Sequence, residues 1–259
     1  MASSSSFSLA RQLRAGDTVY SGWCGLASPL VAEVIAREGF AAVTIDMQHG
    51  LWDTTETVGA IAAIRHGGAA PVVRVPLGDF ATASRALDFG AEGIISPMIN
   101  SAADARALVA ATKYPPLGER SWGPHRATML GGIADQKDYL KEGNALTFTL
   151  AMIETRAALE NVAAIAATPG IDGLFLGPSD LSIALSQGAT IDPLSPDVDR
   201  ELERIIDAAR KAGKVMGAYC HSADRAVALA KRGVRFFAVG SDLGFLRAGT
   251  AAALKVLKG

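Results

Sequence analysis

The stretch Leu150-Ala-Met-Ile-Glu154-Thr-Arg156, with its successor Leu174-Phe-Leu-Gly-Pro-Ser-Asp180, decides the fold. Each holds a short apolar run, the pattern of a strand covered on both faces, and each run closes on a carboxylate. Between them a single amphipathic segment, roughly 156–167, reads as one helix. Strand, helix and strand make a βαβ unit, whose two strands are parallel neighbours ending at the same edge of the sheet. Neighbouring strands lie about 5 Å apart, so two carboxylates at adjacent ends can share one hard cation. Glu154 and Asp180, 26 positions apart, are such a pair, and they leave coordination positions open to a small oxygen-rich ligand.

Outward from this unit the pattern repeats. Strands are expected at Val19–Trp23, Ala41–Asp46, Pro71–Val75, Gly93–Pro97, Phe148–Glu154, Gly173–Leu176, Val215–Tyr219 and Arg235–Val239. Helical patterns fall between and after them at Pro29–Glu38, Thr54–His66, Asp79–Phe89, Ala102–Tyr114, Arg156–Ala167, Asp197–Ala212, Ala223–Lys231 and Asp242–Leu257. Eight strands alternating with eight helices is the count of an α/β TIM barrel, (β/α)8, and 259 residues suffice for one. The competing architecture is a doubly wound open sheet. It lacks support, because no G-x-G-x-x-G follows the first strand and no G-x-x-x-x-G-K-[ST] occurs. Residues 9–259 are expected to form one domain, and residues 1–8, beginning Met1-Ala-Ser-Ser-Ser-Ser6, a disordered tail.

Composition narrows the partners. With 25 basic and 26 acidic residues the net charge is −1, and nothing selects a nucleic acid or a membrane surface. No apolar run approaches the roughly 18 residues of a membrane span, and the N-terminus lacks the basic start and apolar stretch of a signal peptide. Cys24 and Cys220 imply no disulfide framework, which makes a reducing cytoplasmic setting the expectation. The longest interval without a strand, 115–147, contains Arg120-Ser-Trp-Gly-Pro-His-Arg126 and is expected to be an active-site or interface loop.

In a barrel, polar residues at the C-terminal strand ends are the site candidates. The second strand ends Asp46-Met-Gln-His49, and the third carries Arg74 inside an apolar run. A buried arginine needs an anionic partner; a ligand carboxylate or enolate would serve, and so would Asp46 or Glu154. His49 is either a structural histidine or a base, and its neighbours on the rim favour the second. Asp88 closes a helix, where its charge opposes the dipole and a specific partner is called for, His49 being the candidate. Ser179 and Asp180 precede Leu181-Ser-Ile-Ala-Leu, where either would be an ordinary N-cap; amides at that helix start would also hold a substrate carboxylate. The last helix is apolar around much of its circumference, through Leu243, Phe245, Leu246, Leu254 and Leu257. It either packs onto a neighbouring barrel or closes its own.

Taken together, Ile45-Asp-Met-Gln-His49-Gly50, Pro71-Val-Val-Arg74, Ile153-Glu154-Thr-Arg156 and Gly177-Pro-Ser-Asp180-Leu-Ser182 resemble the metal-dependent pyruvate aldolases of the 4-hydroxy-2-oxoheptanedioate aldolase family, within the aldolase/citrate-lyase superfamily. The resemblance runs from about Gly22 to Leu257. It implies a TIM barrel whose last helix is exchanged between subunits, giving dimers that assemble into a homo-hexamer. It implies that Glu154 and Asp180 ligate Mg²⁺, Mn²⁺ or Co²⁺, with the pyruvate carbonyl and carboxylate completing the coordination. By the same resemblance Arg74 faces the keto oxygen, and His49, supported by Asp46 or Asp88, acts through a water. The amides and side chains of Gly177, Pro178, Ser179 and Asp180 bind the carboxylate, and Trp23 walls the pocket. The implied reaction is a reversible retro-aldol cleavage of a 4-hydroxy-2-oxoacid to pyruvate, or a close 2-oxoacid, and an aldehyde. Gln48 and Met152 depart from the resemblance, which often has Glu at the first position and in some members Gln at the second. A Schiff-base aldolase would need a lysine at a strand's C-terminal end; none of the expected ends has one, Lys214 preceding the seventh strand. The alternatives are an acyl-CoA-cleaving lyase of the same superfamily and a non-catalytic small-molecule-binding barrel.

Overall fold

Eight runs rich in Val, Ile, Ala and Phe pair side by side in chain order and close on themselves, the first beside the eighth, as a parallel barrel. The computed structural model describes residues 7–258. In chain order the elements are α1 (Leu9–Ala15), β1 (Val19–Cys24), α2 (Pro29–Arg37), β2 (Ala42–Asp46), α3 (Thr54–His66), β3 (Ala70–Arg74), α4 (Phe80–Phe89), β4 (Gly93–Ser96), α5 (Ala102–Thr112), α6 (His125–Leu130) and α7 (Gln136–Leu146). They continue with β5 (Phe148–Ile153), α8 (Arg156–Glu160), α9 (Val162–Ala166), β6 (Gly173–Leu176), α10 (Pro178–Leu185), α11 (Pro196–Lys211), β7 (Val215–Cys220), α12 (Ala223–Ala230), β8 (Phe236–Val239) and α13 (Asp242–Lys258).

Two apolar layers follow from the strand alternation. Side chains pointing inward, among them Val19, Val72, Leu150, Phe175 and Phe236, fill the barrel, while those pointing outward pack against the helices. The inward layer ends at the top in Trp23 and Met152 and is closed below by Leu9, Ala10 and Leu13 of α1. That short helix is held by Glu92, whose carboxylate accepts the Ser8 and Leu9 N–H groups at 2.7 and 2.9 Å. Residues 1–6 of the expected tail lie outside the described residues. Its boundary moves, however: Phe7 is buried under the Arg65 guanidinium, 4.4 Å from its ring.

The expected helix over 156–167 is two pieces. Asn161 interrupts it, its side chain donating to the carbonyls of Ala157 and Asn100 at 3.0 Å each and so competing with the backbone ladder. The 115–147 interval, expected as an active-site or interface loop, is largely helical. It forms α6, beside α4, and α7, which runs under the barrel against α1. The buried Lys113 ammonium ties this excursion down by donating to the carbonyls of Asn144 (3.1 Å) and Thr147 (2.9 Å).

The helix α13 leaves its own barrel. Asp242 anchors it, accepting the Leu26 N–H at 2.7 Å, and Phe245 rests beside Phe40. Beyond that turn its apolar side chains face solvent; Val256 is 83% and Leu257 81% exposed. The wall between α2 and α12, over β8 and β1, is correspondingly open as a groove of about 450 Å³ lined by Tyr20, Phe40, Ala226, Val227 and Val239. No helix among the described residues is long and apolar enough to cross a membrane.

Candidate active site

The top of the barrel holds a cavity of about 250 Å³, floored by Trp23, Met152 and Phe175 and rimmed by His49, Arg74, Gly177, Pro178, Ser179, Asp180, Tyr219 and His221. Its position at the C-terminal strand ends is where a barrel presents chemistry.

Asp46 and Arg74 are ladder partners on β2 and β3, so the register itself brings their side chains together. The arginine donates to both carboxylate oxygens, Nε to Oδ1 at 2.8 Å and Nη2 to Oδ2 at 2.7 Å. Trp23 adds its indole N–H to Oδ2 at 3.2 Å and stacks its ring 4.7 Å from the guanidinium carbon. Of the partners open to Arg74, Asp46 is the one present. The pairing uses one edge of the guanidinium and leaves the Nη1 edge for a ligand. Asp46 also receives the backbone N–H groups of Gln48 and His49, at 3.1 and 3.3 Å, and so shapes the turn that presents the exposed His49 imidazole. Its support of His49 is thus through the main chain.

Glu154 follows the last residue of β5 and is 1% exposed. Oε1 accepts the Met98 N–H at 2.8 Å. Met98 adopts φ +52°, a left-handed conformation uncommon for a residue with a side chain and a mark of local strain. Oε2 is buried with no hydrogen-bond partner among the described residues. Burial raises the Glu154 carboxyl to about 7; the Met98 N–H opposes that shift, the nearby Asp180 adds to it, and Arg74 opposes it. Gly177 packs against this carboxylate, because any Cβ there would overlap Oε2 and stand 3.1 Å from the carboxyl carbon.

Asp180 lies in the first turn of α10, half-buried on the cavity wall. Neither it nor Ser179 is the N-cap. That position belongs to Gly177, so the aspartate is not spent on capping. The first intrahelical bond runs from the Leu181 N–H to the Gly177 carbonyl, which leaves the Ser179 and Asp180 amides outside the ladder. Among the described residues no group of three or more His, Cys, Asp and Glu side chains converges. The acidic groups near one another here are two carboxylates, Glu154 with its orphaned oxygen and Asp180.

Asp88 stands elsewhere. It ends α4, at the opposite face of the barrel, where its carboxylate binds Arg120 at 2.6 Å. Within one chain it does not serve His49. Arg120 is 4% exposed beneath the Tyr114 ring, and Trp122 leans on Tyr114 and Tyr139, so the 120–126 stretch lines another part of the molecule. No lysine lines the cavity, and Lys214, at the foot of β7, donates to the Ile171 carbonyl at 2.7 Å. Two rim residues escaped the sequence reading: Tyr219, whose hydroxyl donates to the Gly240 carbonyl at 3.1 Å, and His221, stacked edge-on against it at 5.0 Å. The signal was there, in the polar Tyr219-Cys-His221 at the end of the seventh strand.

Comparison with known proteins agrees with this geometry. The sequence profile of the HpcH/HpaI aldolase/citrate lyase family matches residues 20–248. A hydroxypyruvate/pyruvate aldolase of Rhizorhabdus wittichii is 38% identical over 233 residues, 90% of this chain and 91% of that one. A 5-keto-4-deoxy-D-glucarate aldolase of Klebsiella pneumoniae is 37% identical over 229 residues, 88% of each chain. Among solved structures, an HpcH/HpaI aldolase from Desulfitobacterium hafniense superposes with a TM-score of 0.87 at 29% identity over 96% of both chains. A family protein from Burkholderia cenocepacia gives the same TM-score at 31% identity over 97% of this chain and 99% of that one. The chain therefore belongs to the HpcH/HpaI aldolase/citrate lyase family and is an enzyme of its carbon–carbon lyase kind.

Proposed function

We propose that the protein is a metal-dependent retro-aldolase that reversibly cleaves a 4-hydroxy-2-oxoacid to pyruvate, or a close 2-oxoacid, and an aldehyde. The observation that carries this reading is the Glu154 carboxylate near Asp180: buried, raised to about 7, and with one oxygen that has no hydrogen-bond partner among the described residues. A carboxylate pair of this kind, one member buried and the other half-buried, fits a divalent cation, Mg²⁺, Mn²⁺ or Co²⁺, that would keep its other positions for substrate and water. When bound, the cation supplies a Lewis acid to the substrate's 2-oxo group.

The chain's own groups divide the remaining work. The free Nη1 edge of Arg74 faces the 2-oxo oxygen and stabilises the charge that develops there as the C3–C4 bond breaks. Asp46 and Trp23 hold that guanidinium in place. The Ser179 and Asp180 amides, at a helix start, hold the substrate carboxylate. His49 takes the proton of the 4-hydroxyl through a water and delivers it to C3 of the enolate, which completes pyruvate; in the addition direction the same proton runs from the pyruvate methyl to the aldehyde oxygen. Two relatives that bear aldolase names support this reading. The coenzyme A alternative finds no support, since a cavity of about 250 Å³ whose lining has Arg74 and no lysine or second arginine offers a nucleotide no seat.

Assembly follows from α13. Its exposed apolar face and the open groove between α2 and α12 support exchange of the helix between two chains, with three such dimers forming a hexamer. A reducing cytoplasm suits the free, buried Cys24 and Cys220. The test is chelation. Stripping the metal should abolish pyruvate release, and Mg²⁺, Mn²⁺ or Co²⁺ should restore it. Full activity in a stripped sample whose substrate is trapped by borohydride would replace the proposal with Schiff-base chemistry.

A further inference from the structure

Around the cavity, the oxoacid chemistry above uses His49, Arg74, Glu154 and Asp180, which lie after or on β2, β3, β5 and β6, together with the Ser179 main-chain amide. In an eight-stranded barrel β7 faces β3 across the mouth. The β7 side is therefore the open approach to the carbon that attacks, or leaves, the aldehyde. What stands there is a pair: the Ser179 hydroxyl and the His221 Nε2, 3.4 Å apart. That separation exceeds the usual 2.7–3.2 Å of a hydrogen bond, so each atom keeps capacity for a third partner between them. The pair is not adrift. His221 is backed edge-on by Tyr219, which Trp23 supports edge-on in turn at 5.3 Å.

We infer that Ser179 and His221 form the acceptor subsite, binding the hydroxyl of a neutral hydroxyaldehyde. The inference rests on the retro-aldolase reading and names the aldehyde class it leaves open. Charge decides between neutral and anionic acceptors. Two carboxylates balance one divalent cation, Asp46 balances Arg74, and the bound oxoacid adds a further negative charge. No second lysine or arginine lines the cavity to meet another carboxylate. An anionic aldehyde would enter against like charge at close range, whereas a hydroxyl finds a donor and an acceptor already placed.

The test is pyruvate addition by the metal-loaded enzyme to three aldehydes of similar size: glycolaldehyde, propanal and glyoxylate. Rates are normalised to each preparation's exchange of pyruvate methyl protons, which needs no aldehyde. The wild type should prefer glycolaldehyde to propanal in kcat/KM by about 3- to 10-fold, the worth of one net hydrogen bond on a half-open rim. His221→Leu should bring that ratio towards one through the glycolaldehyde value alone, Ser179→Ala should lower the ratio whatever it does to exchange, and His221→Gln should keep part of it. Exchange without any such preference, a ratio unmoved in both variants, or glyoxylate as the best acceptor would overturn the subsite. Wild-type enzyme that exchanges no pyruvate protons would instead overturn the aldolase reading beneath it.

Discussion

Gly177→Ala tests the cation site without removing any charge. The backbone at Gly177, φ −96° and ψ 91°, is open to alanine, so any effect arises from the added methyl. That methyl would overlap Glu154 Oε2, stand 3.1 Å from the carboxyl carbon and crowd Met152 Cε at 2.9 Å. Restoring ordinary contact requires the carboxylate to move on the order of 1 Å, and a displacement of that size at a reacting centre costs about 100-fold in rate. The shift also strains the 2.8 Å bond from the Met98 N–H, a hydrogen bond to a charged acceptor worth about 1.5–3 kcal/mol. Converted at 1.4 kcal/mol per decade, that is a loss of roughly 10- to 100-fold in cation affinity. Mn²⁺ binding followed by electron paramagnetic resonance, beside retro-aldol kcat and a melting curve, reads all three quantities. A folded variant with wild-type Mn²⁺ affinity and turnover would refute the assignment of Glu154 as a ligand.

The pH dependence of the metal-free protein follows from the same residue. Glu154 is raised from an ordinary 4.5 to about 7, so the folded state holds its proton where the unfolded state has lost it. Stability from this group is complete below about pH 4.5, falls as pH rises to about 7 and is level beyond, by roughly 3 kcal/mol at most; Glu154→Gln should flatten the decline in urea midpoints, and an unchanged slope would disprove the cause. Arg74→Ala should lose at least about 100-fold in kcat and, by stranding the buried Asp46, also about 3–5 kcal/mol of stability; normal turnover in a folded variant would remove Arg74 from the chemistry. His49→Ala should slow both pyruvate proton exchange and cleavage by about 10²- to 10⁴-fold while Mn²⁺ affinity stays near normal, and wild-type exchange would take His49 out of proton transfer. Light scattering at low micromolar concentration should give a multiple of the dimer, and truncation before Asp242 should aggregate or unfold; an active monomer would refute the exchange of α13.

The barrel was legible because buried parallel strands are written as continuous apolar runs, and all eight expected strands begin and end within one residue of where they fall. Glu92 and α1 were not read: seven residues of helix give too short a period to stand out, and only the fold brings the acid from the foot of β4 to cap them. The place of Asp88 was not legible, because a one-dimensional reading cannot say which face of the barrel a helix end occupies. The Asp46–Arg74 pair was foreseen as one choice among several, and ladder register, a property of two strands at once, made the choice. His221 was lost by ending the seventh strand one residue early, at Tyr219 instead of Cys220.

The open seam between α2 and α12 bears on how the molecule is made. On the proposed exchange of α13, a chain released alone has a finished sheet but an unfinished wall, and its last folding step would be a collision between two copies, second order in protein and slow when the protein is scarce. Stability likewise becomes a function of concentration, and the melting temperature should rise on simply adding more enzyme. The cell that makes this barrel sparingly would hold a fraction of it as half-closed chains, exposed at the groove to whatever apolar segment arrives before a second copy does.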